Sequence, residues 1–132
     1  MKTQLLYVPL VGLIAAFVFF ARTATVQAAD PSPAVQAIFE KLIGAIKTNN
    51  RNAFAAVGTE EVKQGMTREA MDGLSKGLGP RLQEGYEAIY LCQLKQAGHQ
   101  AHLWKLSFKD RGDDIVVRIV LEAGKVSGFF LQ

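Results

Sequence analysis

The strongest constraint on the fold lies in residues 86–131, where four apolar, strand-like segments are separated by short turns. The segments span residues 86–95, 101–109, 115–122 and 125–131. Each linker contains a glycine and is far shorter than the crossover that two parallel neighbours need. The pattern therefore predicts a four-stranded antiparallel meander.

The turns also predict the register of this sheet. If Ala123-Gly124 is a two-residue hairpin loop, Val117 faces Phe130. The same reasoning at the preceding turn places Trp104 opposite Ile119. One face is then almost wholly apolar, and it must pack against other elements. Its predicted members are His102, Trp104, Leu106, Phe108, Ile115, Val117, Ile119, Leu121, Val126 and Phe130, and in the first strand Tyr86, Ala88, Tyr90, Cys92 and Leu94.

Ahead of the sheet, apolar residues recur at helical spacing. A stripe over residues 35–46 predicts an amphipathic helix. A short second helix is predicted over residues 51–57. A third is expected to begin after Thr67, which is a good N-cap, and to end at residues 77–80, where glycine and proline disfavour helix. Helices ahead of a meander predict one α+β domain over residues 30–132, with the helices packed on the curved sheet.

Residues 1–29 have the pattern of a secretory signal peptide. Lys2 precedes an uncharged apolar stretch over residues 5–21, and small residues at Val26-Gln27-Ala28 predict cleavage after Ala28. An uncleaved membrane anchor is the alternative, because the stretch is at the short limit of what spans a bilayer. Either reading predicts an exported domain, periplasmic or secreted.

Charge narrows the range of partners. The chain has 15 Lys and Arg residues and 12 Asp and Glu residues, but Lys2 and Arg22 fall in the leader. The rest of the chain is therefore close to neutral, and neither basic residue type forms a run. A nucleic-acid or anionic-membrane partner needs a clustered basic face. We expect no nucleic-acid partner, and membrane contact only through the leader if it stays uncleaved.

Several short stretches carry a resemblance to a known superfamily. They are MTREAM at residues 66–71, LGP at 78–80, Gly85 and GKVSGFF at 124–130. With the order of helices and strands, they make residues 33–132 similar to the small exported members, of unassigned function, of the nuclear transport factor two-like, or cystatin-like, superfamily. The resemblance implies a cone-shaped fold that opens between the helices and the concave sheet face, often with dimerisation through the sheet. It implies no reaction, because the superfamily contains isomerases, dehydratases and non-catalytic binding modules.

The cone predicts a pocket for a small apolar or aromatic molecule, or for a segment of a partner protein. Concave apolar sites with a few polar groups are the usual place for such binding. The expected function is therefore that of a non-catalytic binding module. The predicted lining residues are His102 near the rim, Trp104, Tyr90, Tyr86, Phe108 and Phe130.

The other sheet face is predicted to be too apolar to meet only water. It is expected to combine Lys105, Arg118, Glu122 and Lys125 with Leu103, Val116, Val120, Phe129 and Leu131. This composition predicts a homodimer that forms through the sheet.

Two alternatives to the binding module remain. In the first, His102 and Tyr90 act as the acid–base pair of an isomerase-like or dehydratase-like enzyme. The apolar face has no Asp or Glu, although isomerase-like relatives use a carboxylate base there. In the second alternative, large side chains fill the cone, and the domain serves only for oligomerisation.

No metal or cofactor motif is found in the sequence, and none is expected to bind. His99 and His102 are poorly spaced for a metal pair, and the acidic turn over residues 110–114 is much shorter than a calcium-binding loop. Cys92 is the sole cysteine of the chain, so an intramolecular disulfide is excluded. In an apolar strand it is expected to be a small buried hydrophobic residue.

Overall fold

The structure, a computed structural model, describes residues 29–132. The predicted signal peptide and its cleavage site lie outside these residues. The described residues form four helices followed by four strands. These are α1 (Pro33–Lys47), α2 (Arg51–Ala56), α3 (Glu60–Gly65), α4 (Arg68–Glu84), β1 (Tyr86–Gln96), β2 (His99–Phe108), β3 (Ile115–Glu122) and β4 (Lys125–Leu131).

The strands form a single antiparallel sheet in the order β1-β2-β3-β4. The α+β class and the cystatin-like order of elements, helices first and meander second, are confirmed. Within the described residues, no helix has both the length and the hydropathy needed to cross a membrane.

Polar side chains define where the helices begin. The hydroxyl of Ser32 accepts a hydrogen bond from the backbone N–H of Val35, and Pro33 occupies the first turn of α1. Asn50, Thr59 and Thr67 cap α2, α3 and α4 in the same way. Such caps satisfy backbone donors that the first helical turn leaves free.

The helical region differs from the prediction in two places. Helix α3 was not predicted, because its six residues are too few and too polar to show a periodic stripe. The predicted end of the last helix was also wrong, since α4 continues through Pro80 to Glu84. Burial of Leu78 and Leu82 on either side of the proline offsets the lost hydrogen bond.

The core lies between the helices and one face of the sheet. Its centre is Trp104, whose ring stacks on Phe39 of α1 with 4.5 Å between ring centroids. Leu42, Ile43 and Ile46 place the buried stripe of α1 on the same core. This packing buries the apolar face of the sheet against the helices.

The predicted pairing of β2 with β3 was wrong by two residues. Trp104 lies opposite Val117 and His102 lies opposite Ile119. The connection over residues 109–114 is a longer loop, not a two-residue hairpin turn. A shift by two residues keeps every side chain on its predicted face, so the composition predicted for the apolar face of β2 is unchanged.

A bulge between β3 and β4 overturns the predicted position of Phe130. The register shifts between Val120 and Leu121, so Phe130 lies opposite Arg118 on the outer face and not opposite Val117. Phe129 faces inward with Leu131, although both were expected outside. An inserted residue reverses the face of every residue beyond it. Phe130 is therefore not part of the core face, and its ring lies 4.3 Å from the guanidinium carbon of Arg118.

A second bulge, in β1, corrects the prediction for Cys92. Tyr90 lies opposite Trp104 as an inward-facing residue, but Cys92 lies opposite Leu103 on the outer face. Leu94 follows Cys92 to that face. Cys92 is half-buried there and is not a core residue.

Candidate functional site

Three of the predicted pocket residues meet where β1 and β2 pair. Tyr90 of β1 lies directly opposite Trp104, and His102 is two residues from Trp104 on the same face of β2. The ring centroid of Tyr90 is 5.1 Å from that of Trp104 and 6.1 Å from that of His102. We call Tyr90, His102 and Trp104 the aromatic cluster.

A hydrogen bond links the two polar members of the aromatic cluster. The hydroxyl oxygen of Tyr90 lies 3.0 Å from Nδ1 of His102. Burial lowers the pKa of His102 below its ordinary 6.5. Burial, with a smaller contribution from Cys92, raises the pKa of Tyr90 above 10.0. At neutral pH the imidazole is therefore uncharged and the phenol keeps its proton.

Two nitrogen atoms of the aromatic cluster are buried without a partner. His102 is 3% exposed and Trp104 is 1% exposed. Within residues 29–132, neither Nε2 of His102 nor Nε1 of Trp104 has a hydrogen-bond partner. A buried polar group without a partner costs about 1–3 kcal/mol. A buried polar atom without a partner in a native structure needs a physical explanation, and a nearby binding site is one such explanation.

A cleft lies between the aromatic cluster and the start of the described chain. Its larger part has a volume of about 460 Å³ and is lined by residues 29–32, Val35, residues 90–93, Gln100 and His102. A second cavity of about 330 Å³ shares Asp30, Pro31 and Tyr90 with it and reaches Trp104. We call the two together the cleft. Its size is in the range of small-molecule sites.

The interior beneath the cleft is filled by the protein itself. Phe39 stacks on Trp104, and Tyr90 packs edge-on against the same indole at an interplanar angle of 68°. The open space therefore lies at the mouth of the fold and not deep inside it. His102 borders this space, but it is far more buried than a residue on an open rim.

The other three predicted pocket residues lie elsewhere. Tyr86 and Phe108 form a cross-strand pair at the far end of β1. The Phe108 ring is covered by the guanidinium of Arg81, whose carbon is 3.8 Å from the ring centroid, and Arg81 pairs with Asp110 at 2.6 Å. Phe130 is on the outer face. These residues do not join Tyr90, His102 and Trp104 around one pocket.

Sequence reasoning missed the wall of the cleft that residues 29–32 form. Pro31-Ser32-Pro33 is a stiff segment ahead of α1, but no feature of the sequence indicates which strand it lies against. Gln93 and Gln100 were also missed as lining residues. The bulge in β1 puts Gln93 opposite His102, and no sequence signal marks that bulge.

The electrostatics of the cleft are simple. Among the described residues that line it, Asp30 carries a formal charge, and there is no Lys or Arg. Within residues 29–132, no group of three or more His, Cys, Asp or Glu side chains is arranged to hold a metal ion. The cleft therefore offers aromatic surface, amide groups and a few neutral hydrogen-bonding atoms.

Comparison with known proteins gives a likeness of fold. No protein-family model matches the sequence, and no curated protein matches it. Among solved structures, the chain is similar to an uncharacterized cystatin fold protein from Novosphingobium aromaticivorans. The two are 13% identical, the match covers 73% of this chain and 95% of that one, and the TM-score is 0.42.

Proposed function

We propose that this chain is an exported, non-catalytic binding module that holds a small, mainly apolar or aromatic molecule in the cleft. The observation that carries the proposal is the cavity of about 460 Å³ between residues 29–32 and the side chains of Tyr90 and His102. Small-molecule sites are concave, largely apolar and supplied with a few placed polar groups. The cleft is concave, and its lining mixes apolar and aromatic side chains with the polar groups of Asp30, Ser32, Gln93, Gln100 and His102.

The burial of His102 favours binding over catalysis. A general acid or base must come within hydrogen-bond reach of the proton that it transfers. Nδ1 of His102 is engaged by Tyr90, and Nε2 has no surface exposed to solvent. The 3.0 Å contact keeps an acid–base enzyme as the second candidate. That enzyme would need the cleft to open before a substrate could reach the imidazole.

A titration with the neutral aromatic dye N-phenyl-1-naphthylamine tests the binding proposal. Trp104 is the sole tryptophan of the chain, so energy transfer from its indole reports dye bound to the protein, and the variants below locate it. We expect saturable binding of one dye molecule per chain. Binding without saturation, or without energy transfer, would contradict the proposal.

Matched variants locate the bound dye. Gln93 is an exposed residue that lines the cleft, and Gln64 is an exposed residue of α3 that does not. Gln93→Phe should fill part of the cavity and weaken binding about tenfold, the equivalent of 1.4 kcal/mol. Gln64→Phe adds the same ring elsewhere and should leave the affinity unchanged. Equal affinities of the two variants would place the dye outside the cleft.

The same module is proposed to be a homodimer that forms through the outer face of the sheet. Large apolar side chains there are well exposed: Ile89 is 41% exposed, Leu94 39% and Phe130 43%. Leu103, Val116 and Val120 extend this apolar surface across β2 and β3. A patch of this kind on a single chain supports an interface, because apolar surface gains free energy when it leaves water.

A further inference from the structure

A separate pocket lies at the opposite end of α1 from the cleft. It has a volume of about 270 Å³ and opens where the end of α1, the start of α2 and the start of α4 meet. We call it the donor pocket, and its lining residues are Thr48, Asn49, Asn50, Arg51, Asn52 and Arg68. The cleft borders the start of α1 at Ser32 and Val35, so the 15 residues of that helix, about 22 Å in length, separate the two sites.

The donor pocket carries positive charge without a counter-ion. Two of its lining residues are arginines, and none of them is acidic. Within residues 29–132, neither Arg51 nor Arg68 takes part in an ion pair. The carboxylate of Asp72 accepts a hydrogen bond from the Asn49 amide at 2.9 Å, but Asp72 does not line the pocket. Two guanidinium groups around one small cavity repel each other, and an anion bound beside both offsets that repulsion.

Neutral groups hold Arg51 in place. Its Nε donates a hydrogen bond to the backbone carbonyl of Met66, and Nη2 donates to the carbonyl of Lys63 at 2.9 Å. These contacts use some of the N–H groups of the guanidinium and leave its charge uncancelled. The side chain is half-buried and lines the pocket. Its guanidinium is therefore ordered before a ligand arrives, and binding loses less side-chain entropy.

The hydrogen-bond acceptors next to the pocket are engaged, whereas donors are left over. The last carbonyls of α1, at residues 44–47, each accept a hydrogen bond from a residue beyond the helix. The side-chain oxygen of Asn50 caps α2, which leaves its amide nitrogen available. Within the described chain, the side-chain donors of Asn52 and Arg68 are in no hydrogen bond. A surplus of donors beside unpaired positive charge suits a ligand rich in acceptor oxygens.

We propose that the donor pocket binds a phosphate or sulfate group, free or at the end of a small soluble molecule. A tetrahedral oxyanion presents acceptor oxygens in several directions, and the donors of the pocket come from separate residues, among them Arg51, Asn52 and Arg68. A carboxylate has its two oxygens in one plane, where a single arginine can already satisfy both. The site does not depend on the proposed function of the cleft, and no covalent step is involved.

An NMR titration with sodium phosphate and with sodium sulfate tests the proposal. The protein is produced from its full coding sequence and labelled with ¹⁵N. Sodium chloride at the same ionic strength is the reference, because it screens charge in the same way but has no tetrahedral group. We expect the backbone amide signals of residues 48–52 and 68 to move saturably with phosphate and with sulfate, and not with chloride.

Matched variants locate the bound anion. Arg68→Gln should weaken phosphate binding about tenfold, the effect of losing one charge-assisted hydrogen bond. Arg68 is exposed, so its substitution should leave the fold intact. Asn52→Ala removes a neutral donor from the same pocket and should have a smaller effect in the same direction. Arg111→Gln is the control, because it removes the same charge at an exposed position outside the pocket, and it should leave the affinity unchanged.

Three results would overturn the proposal. The first is a set of signal changes that do not saturate, or that chloride reproduces. The second is equal weakening by Arg68→Gln and Arg111→Gln, which would mean that net charge alone attracts the anion. The third is binding to phosphatidylglycerol vesicles without any response to inorganic phosphate, which would replace the soluble ligand by a membrane surface. Saturable binding that Arg68→Gln weakens and Arg111→Gln does not would support the site, whatever the dye titration of the cleft shows.

Discussion

At the scale of single residues, His102 is the side chain whose environment says most about the molecule. His102 is the buried polar side chain of the described core, and its one hydrogen bond goes to a neutral phenol. The fold thus keeps an uncharged imidazole against Trp104 and under residues 29–32.

The burial of His102 predicts a specific dependence of stability on pH. Its pKa is lowered in the folded state, so the unfolded chain binds more protons as the pH falls below 6.5. The free energy of unfolding should therefore be highest above pH 6.5 and should fall steadily from there toward the lower folded-state pKa. Asp110, whose pKa lies below 3.8, acts only at lower pH.

Urea denaturation at pH 7.5 and at pH 5.5 measures this dependence. His102→Gln removes the titrating group and should remove most of the difference between the two free energies of unfolding. His99→Gln is the matched control, because His99 lies in the same strand and is less buried. An unchanged pH dependence in the His102 variant would show that another group titrates.

At the scale of elements, local packing outweighs local propensity in two places. Helix α4 passes through Pro80 because Leu78 and Leu82 are buried on either side of it, and Arg81 bonds to Asp110. Bulges in β1 and in the β3–β4 pair turn Cys92 and Phe130 outward. The bulge in β1 places Gln93 opposite His102 at the cleft, and the bulge between β3 and β4 moves Phe130 off the core face.

The proline in α4 predicts a stabilising substitution. Pro80 is exposed and lies inside the helix, where it lacks the N–H that would bond to the preceding turn. Pro80→Ala restores the donor and should raise the free energy of unfolding by up to about 3 kcal/mol. Denaturant unfolding of the variant measures the change. A loss of stability would mean that α4 needs the bend that proline provides.

At the scale of the whole molecule, the fold class and the topology were predictable, and the assembly of the site was only partly so. Turn lengths required a meander, and helical periodicity found α1. Tyr90, His102 and Trp104 were predicted to share a face because alternation in β1 and β2 holds up to the bulge. The wall over residues 29–32 was not predictable, because it joins segments that are far apart in sequence through packing alone.

The proposed dimer has its own test at this scale. We expect light scattering at micromolar concentration to give twice the mass of the chain. Ile89→Lys combined with Phe130→Lys should give a monomer with unchanged helix and strand content, because both positions are exposed in the single chain. Gln64→Lys combined with Ala70→Lys adds the same charge on exposed helical positions and should remain dimeric. A monomeric wild-type protein would contradict the proposed interface.

Native mass spectrometry shows whether the cleft holds a small molecule. The protein is purified from the exported fraction of the cells that make it, without refolding, and its mass is compared with that of the denatured chain. We expect one added small mass per chain, which is reduced or lost in Gln93→Phe and retained in Gln64→Phe. A bare chain mass in the wild-type protein, or an added mass that Gln93→Phe leaves unchanged, would mean that the cleft holds no small molecule.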